Sequence, residues 1–166
     1  MHYNADYWIR VLNLQSHPEG GYYNEVFAGR DMIEAQQLPG GFTGSRRAYT
    51  SIYFLLKSGQ VSKLHRLKSD ELWNFYAGSP VTIHVIHPDG TYESLKLGPD
   101  PEKGEMFQHC VQAGCWFGST VDHPRSYGLT GCFVAPGFDF EDFELADTES
   151  LIREFPRHAD FIRRLT

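Results

Sequence analysis

The sequence predicts an all-β protein, a jelly-roll barrel with short helices at both termini, on three observations. Short runs rich in β-branched and aromatic residues recur at near-even intervals from residue 22 to residue 135. The gaps between them hold turn residues, among them Pro88-Asp89-Gly90, a good hairpin signal. Helical periodicity is confined to the two ends. A chain with this many short strands limits its exposed edges by closing into a barrel or a pair of packed sheets.

The elements follow in order. Tyr7, Trp8, Val11 and Leu12 recur at helical spacing after Asn4, a residue type whose side-chain oxygen caps a helix start, so a short amphipathic helix is expected there. Strands are expected over Tyr22–Phe27, Thr50–Leu56, Lys63–Leu67, Glu71–Tyr76, Val81–His87, Thr91–Leu97, Glu105–Val111 and Ser126–Ala135. Asp147 precedes Leu151, Ile152 and Phe155, and Pro156 introduces a second short helix with Phe161, Ile162 and Leu165. These helices are expected outside the barrel. Between Ala28 and Arg47 the glycines and Pro39 interrupt any regular pattern, which predicts a mobile loop acting as a lid, a subunit contact or a plainly disordered stretch.

Composition bounds the function. With 166 residues, 41% hydrophobic and 14% aromatic, the chain can bury one sizeable core and is expected to form one domain over 1–166. A net charge of −6 and the lack of any Lys/Arg stripe argue against nucleic acid. No apolar run approaches the roughly 20 residues that span a bilayer, and the start, Met1-His2-Tyr3-Asn4, has no secretion-signal pattern, so a cytoplasmic protein is expected. Three cysteines, Cys110, Cys115 and Cys132, without a Cys-x-x-Cys pair, fit buried reduced thiols.

One stretch carries chemistry. From Gly59 to Gly78, His65 and Leu67 lie two apart and share a strand face, and Glu71, Trp73 and Phe75 share a face in the next strand. A turn at Lys68-Ser69-Asp70 is expected to pair the two strands antiparallel, bringing one imidazole and one carboxylate together among aromatics as an acid/base pair. This spacing resembles the first metal-binding motif of the cupin superfamily, with Leu67 at its second histidine. The second motif, Gln112-Ala113-Gly114-Cys115-Trp116-Phe117, has Phe117 at its histidine. Two donors hold a divalent ion weakly, since enzyme sites commonly use three, so no metal and no other cofactor is expected.

The resemblance extends over almost the whole chain. It rests on His17-Pro18-Glu19-Gly20-Gly21-Tyr22-Tyr23-Asn24-Glu25, Thr50 to Leu56, His65 to Trp73, Ala113 to Gly118 and Gly131 to Phe140. These stretches are similar to the cupin family of unknown function described as predicted sugar epimerases, which implies the double-stranded β-helix fold. A weaker resemblance is to the 3,5-epimerases of dTDP-4-keto-6-deoxy sugars. It implies His65 as general base and Tyr23 and Glu25 as nucleotide contacts. Gly20 stands at that family's arginine, Glu71 at its lysine, and no tyrosine stands near Gly131-Cys132.

Three functions compete on these grounds. The first is a metal-independent epimerase or isomerase with His65 as base, Glu71 orienting it, and Tyr53 or Tyr23 as acid on the other face of a sugar or sugar nucleotide. The second is a non-catalytic module that binds a small polar molecule. The third is a metalloenzyme recruiting donors such as His17 or Gln108. Candidate binding residues are Tyr23, Glu25, Trp73, Gln108, Phe117 and Phe138, although Phe138, Phe140 and Phe143 also suit a barrel-end seal or a dimer contact. His84, His87, His109, His123 and His158 are expected at the surface. Cupin barrels of this kind usually pair, so a homodimer is expected.

Overall fold

The computed structural model describes residues 3–166, so Met1 and His2 lie outside the described residues. The chain runs α1 (Ala5–Val11), β1 (Gln15–Ser16), β2 (Tyr22–Ala28), β3 (Met32–Ile33), β4 (Arg46–Arg47), β5 (Thr50–Lys57), β6 (Val61–Leu67), β7 (Asp70–Gly78), β8 (Val81–Ile86) and β9 (Tyr92–Leu97). It continues through β10 (Gln108–Val111), β11 (Trp116–Val121), β12 (Tyr127–Ala135), β13 (Phe143–Leu145), α2 (Thr148–Glu154) and α3 (Ala159–Arg164). A six-stranded sheet in the order β1-β2-β5-β12-β7-β10 faces a five-stranded sheet in the order β13-β6-β11-β8-β9. Together they form an all-β jelly roll, because the chain crosses between sheets at each step from β5 to β8 and from β9 to β13, and each sheet keeps one apolar face inward.

The core between the sheets includes Phe54, Leu56, Trp73, Val85, Val111 and Phe117, all nearly inaccessible to solvent. Strand alternation sends every second residue there and its neighbours outward. Those outward residues are covered in turn. The helix α1, capped by the Asn4 side chain accepting from the Tyr7 N–H, buries Leu14, Leu55 and Leu129 on the back of the larger sheet, and the Trp8 indole donates to the Tyr127 hydroxyl at 2.8 Å. The helices α2 and α3 bury Leu151, Phe155, Ile162 and Leu165 against Leu64, Ile86 and Trp116 on the back of the smaller sheet. Among the described residues no helix is long and apolar enough to cross a membrane.

Several expectations are corrected. The strands β6 and β7 do not pair: β6 lies between β13 and β11, and β7 between β12 and β10, so the Lys68-Ser69 turn crosses from one sheet to the other. The strand β11 went unassigned because Trp116, Phe117 and Gly118 are all buried and show no two-residue alternation. The segment 28–47 is not featureless. It contains the β3–β4 ribbon and a 3-10 turn at Ala35–Gln37, and it is tied down where Arg46, 4% exposed, meets Asp142. His84 is buried, not a surface residue. It lies between the Tyr92 hydroxyl at 2.8 Å and the Thr120 hydroxyl at 3.0 Å, and burial pulls its pKa down to about 4. Cys110 is exposed, while Cys115 and Cys132 are buried.

Candidate functional site

A cavity of about 320 Å³ opens between the sheets. Its floor is set by strand alternation: Ile52 and Phe54 from β5, His65 and Leu67 from β6, Glu71 from β7, and Cys132 and Val134 from β12 all point inward. Tyr23 and Glu25 from β2 form one side of the rim. Phe138, Phe140 and Phe143, which follow β12, form the other, and their rings meet edge-to-face with centroids 5.0, 6.0 and 6.1 Å apart.

The segment between β1 and β2 supplies the residue that organises the floor. Gly20 and Gly21 adopt φ of +110° and +72°, and a Cβ on Gly20 would collide with the Val61 carbonyl oxygen. That close approach lays residue 19 along β6, where the Lys63 N–H donates to the Glu19 carbonyl oxygen at 2.8 Å and the Ser62 hydroxyl donates to Glu19 Oε1, also at 2.8 Å. Glu19 Oε2 then sits 3.3 Å from His65 Nε2 and 3.5 Å from His17 Nδ1. The other nitrogen of His65, Nδ1, is 2.7 Å from the Lys63 carbonyl. A carbonyl can only accept, so Nδ1 carries a proton and Nε2 faces Glu19 with its lone pair or with a second proton.

Burial decides which. Glu19, His65 and Glu71 are 6%, 2% and 7% exposed, and taking a charge into such a site is costly. Burial pushes the Glu19 carboxyl up to about 8, against the downward pull of the Ser62 hydroxyl. Burial likewise raises Glu71 to about 7, with the neighbouring His65 opposing and Glu19 reinforcing the shift. Burial holds His65 below its ordinary value despite Glu71 and the Lys63 carbonyl, and it brings His17 down to about 4 with His65 adding to the effect. Both shifts favour the uncharged forms, so the 3.3 Å approach of Glu19 Oε2 to His65 Nε2 is a contact between neutral groups rather than an ion pair.

This arrangement has a consequence for stability. In the unfolded chain Glu19 ionises above its ordinary value of 4.5, whereas in the fold it keeps its proton until about 8, so the unfolded state binds fewer protons in between. Stability from this group is complete below the lower value and falls as pH rises toward the upper one, by about 1.4 kcal/mol per pH unit. Glu19→Gln, which mimics the neutral carboxyl, is expected to remove that slope between pH 5 and 8. Urea titrations of both proteins at four pH values check it, and parallel slopes would contradict a neutral Glu19.

The structure brings together His65, Glu71, Tyr23, Glu25 and Phe138 around one cavity. It separates the others. Tyr53 is no acid on the far face of a substrate: it lies between inward-facing Ile52 and Phe54, so it points to the back of the sheet, 5.7 Å from the Tyr76 ring. Gln108 lies exposed on the edge strand β10, its Nε2 donating to the side-chain Oδ1 of Asn74 at 2.6 Å. Trp73 and Phe117, each 1% exposed, fill the barrel behind the cavity and touch no ligand space; Phe117 instead backs the His65 ring at 4.1 Å. Glu71 does not orient His65 either, because the carboxyl on Nε2 is Glu19. Phe138, Phe140 and Phe143 line the cavity mouth. Glu19 and Cys132 were missed. The sequence did carry a signal for Glu19, namely an acidic residue directly before two glycines, a place where backbone packs on backbone.

The residues do not fit a metal of the kind the barrel position hosts in other cupins. Two of the four ligand positions hold Leu67 and Phe117, whose carbon side chains donate nothing. His17 and Glu19 approach from the β1–β2 segment, but they form a chain of pairwise contacts. Among the described residues no three His, Cys, Asp or Glu side chains converge as a metal would require.

Comparison with known proteins agrees with the sheet topology. The profile of the family described as "Cupin superfamily (DUF985)" matches residues 6–146. An uncharacterized protein of Saccharomyces cerevisiae, YML079W, is 30% identical over 143 residues, which span 81% of this chain and 71% of the yeast protein. A solved structure of a Shewanella oneidensis protein superposes with a TM-score of 0.89 at 40% identity, covering 99% of this chain and 98% of that one. A hypothetical protein from Leishmania major superposes with a TM-score of 0.91 at 37% identity, covering 99% of both chains. A two-sheet barrel whose inward histidine and glutamate sit at cupin spacing, matched by that profile over most of its length, places this chain in the DUF985 family of the cupin superfamily.

Proposed function

We propose that this cupin works without a metal ion, holds a small, polar, carbohydrate-like molecule in the barrel cavity and shifts a proton on it, as an epimerase or isomerase with His65 as base. The observation that carries the reading is the approach of Glu19 Oε2 to His65 Nε2 at 3.3 Å on the cavity floor, with Nδ1 of the imidazole committed to the Lys63 carbonyl at 2.7 Å. The fixed tautomer leaves Nε2 as the basic nitrogen. The Glu19 carboxyl can give its proton to a substrate carbonyl oxygen while Nε2 takes the proton from the adjacent carbon. That step yields an enediol, a carboxylate and an imidazolium; the imidazolium then returns its proton to the former carbonyl carbon while the carboxylate takes the proton of the other hydroxyl, which gives the isomer and restores both side chains. Burial keeps the imidazole in the unprotonated form a base needs, and Phe54, Val134 and Phe143 supply apolar cavity wall.

Solvent exchange tests it. Ketoses and aldoses incubated with the protein in deuterated water are expected to gain deuterium at the carbon beside the carbonyl, and the gain should vanish in His65→Asn. A second reading, binding without turnover, has one observation in its favour: no Lys or Arg lines the cavity among the described residues, so no fixed cation steadies an enolate. Saturable binding of a sugar with no label uptake would establish that reading in place of the first.

A further inference from the structure

The ionisable side chains around the cavity are acids and histidines. Glu25 stands at the rim as an exposed carboxylate, Glu19 and Glu71 stand at the floor as buried acids held toward their neutral forms, and no lysine or arginine lines the space among the described residues. The two cations that meet the Phe140–Phe143 segment at Asp142 are engaged there: Arg46 is bonded to Asp142, and Lys68 to the Gly41 carbonyl at 2.7 Å and to Asp142 at 3.4 Å. Opposite Glu25, Phe138, Phe140 and Phe143 present ring surface, with Phe140 53% exposed, and Tyr23 stands beside Glu25 on the same strand. At the floor Glu71 is buried and lines the cavity, with its Oε2 sealed from the open space and the Cys132 thiol and Trp73 indole beside its carboxyl, so what the floor offers a guest is acids and an imidazole and no cation.

From this geometry we infer that the ligand is an organic cation of amino-sugar type: an ammonium group held at the rim between the Glu25 carboxylate and the Phe138–Phe140–Phe143 wall, with uncharged hydroxyl or carbonyl groups reaching Glu71 and the Glu19–His65 pair. The inference deepens the function proposed above and rests on the same cavity. Aromatic faces attract a cation through their quadrupole, and they do so more strongly where it is partly desolvated. A nearby carboxylate adds to that attraction, and the same field repels phosphate. A sugar nucleotide would bring its diphosphate against Glu25 with no basic side chain to receive it. Among carbohydrate-like molecules, then, the cavity selects those that carry an amine and rejects those that carry a phosphate.

Calorimetry or saturation-transfer NMR with the intact chain tests this, using glucosamine and tetramethylammonium as cations, N-acetylglucosamine as the neutral counterpart and glucose 6-phosphate as the anion. Glucosamine is expected to bind at least tenfold more tightly than N-acetylglucosamine, tetramethylammonium to compete with it, and glucose 6-phosphate not to bind. Glu25→Gln and Phe140→Ala, both at exposed rim positions, are expected to reduce the preference for the amine severalfold. Equal or tighter binding of the neutral or anionic sugar overturns the inference, as does failure of both cations to bind at millimolar concentration. Either failure leaves His65-dependent deuterium uptake by neutral sugars as a separate result, so loss of the cation preference is distinguishable from loss of the proton-transfer function.

Discussion

His65→Asn is expected to abolish deuterium uptake into substrate, a loss of roughly 10²- to 10⁴-fold for removal of a positioned general base. Asparagine keeps an N–H that can donate to the Lys63 carbonyl, as Nδ1 does at 2.7 Å, but it offers no basic nitrogen toward Glu19. The imidazole is packed between Phe117 at 4.1 Å and Phe143 at 5.3 Å, so the smaller side chain also leaves space. His65→Gln, which fills more of it, is the companion variant. Both should unfold cooperatively while failing to exchange. Variants that no longer fold would instead mark the histidine as a structural core residue, and variants that fold and still exchange would move the base to another group.

Arg46→Ala is expected to cost about 3–5 kcal/mol of stability, the typical penalty for stranding one partner of a buried ion pair. Arg46 and Asp142 are 4% and 6% exposed and meet through two hydrogen bonds, Nε to Oδ2 at 2.6 Å and Nη2 to Oδ1 at 2.9 Å. Lys68, at 3.4 Å, is the only other cation among the described residues within reach of that carboxylate. The pair also has a positional role. Asp142 lies between Phe140 and Phe143, so its link to Arg46 holds the aromatic rim of the cavity against the 28–47 segment. Denaturant unfolding measures the first effect. Restoration of stability by the double replacement Arg46→Met with Asp142→Leu, which leaves no orphaned charge, would confirm the cause; a single variant as stable as the parent would contradict it.

Much of this was legible in the chain, for identifiable reasons. Strand runs such as 81–86 and 127–135 are long, β-branched and bounded by turn residues, so their local pattern and their tertiary role agree. The terminal helices announced themselves through Asn4, Asp147 and Pro156, whose capping roles are local. The inward histidine and glutamate followed from two-residue alternation within single strands. What escaped was long-range. Whether β6 pairs with β7 or crosses to the other sheet depends on contacts with β11 and β12, about 50 residues further along. Glu19 meets His65 only because a glycine turn packs on β6, an approach that no periodicity encodes. The facing of Tyr53 was readable in principle. Thr50, Ile52 and Phe54 form the inward set, and assigning their phase would have placed Tyr53 on the back of the sheet.

The central claim is that His65 and Glu19 meet as a neutral pair with the imidazole in its Nδ1–H form, ready to act as a base near pH 7. Nitrogen-15 NMR of histidine-labelled protein between pH 6 and 8 tests this most directly. The account predicts one histidine with a protonated Nδ1 and an unprotonated Nε2 throughout that range, identified as His65 by its absence from His65→Asn. A His65 imidazolium at pH 7, with both nitrogens protonated, would contradict it.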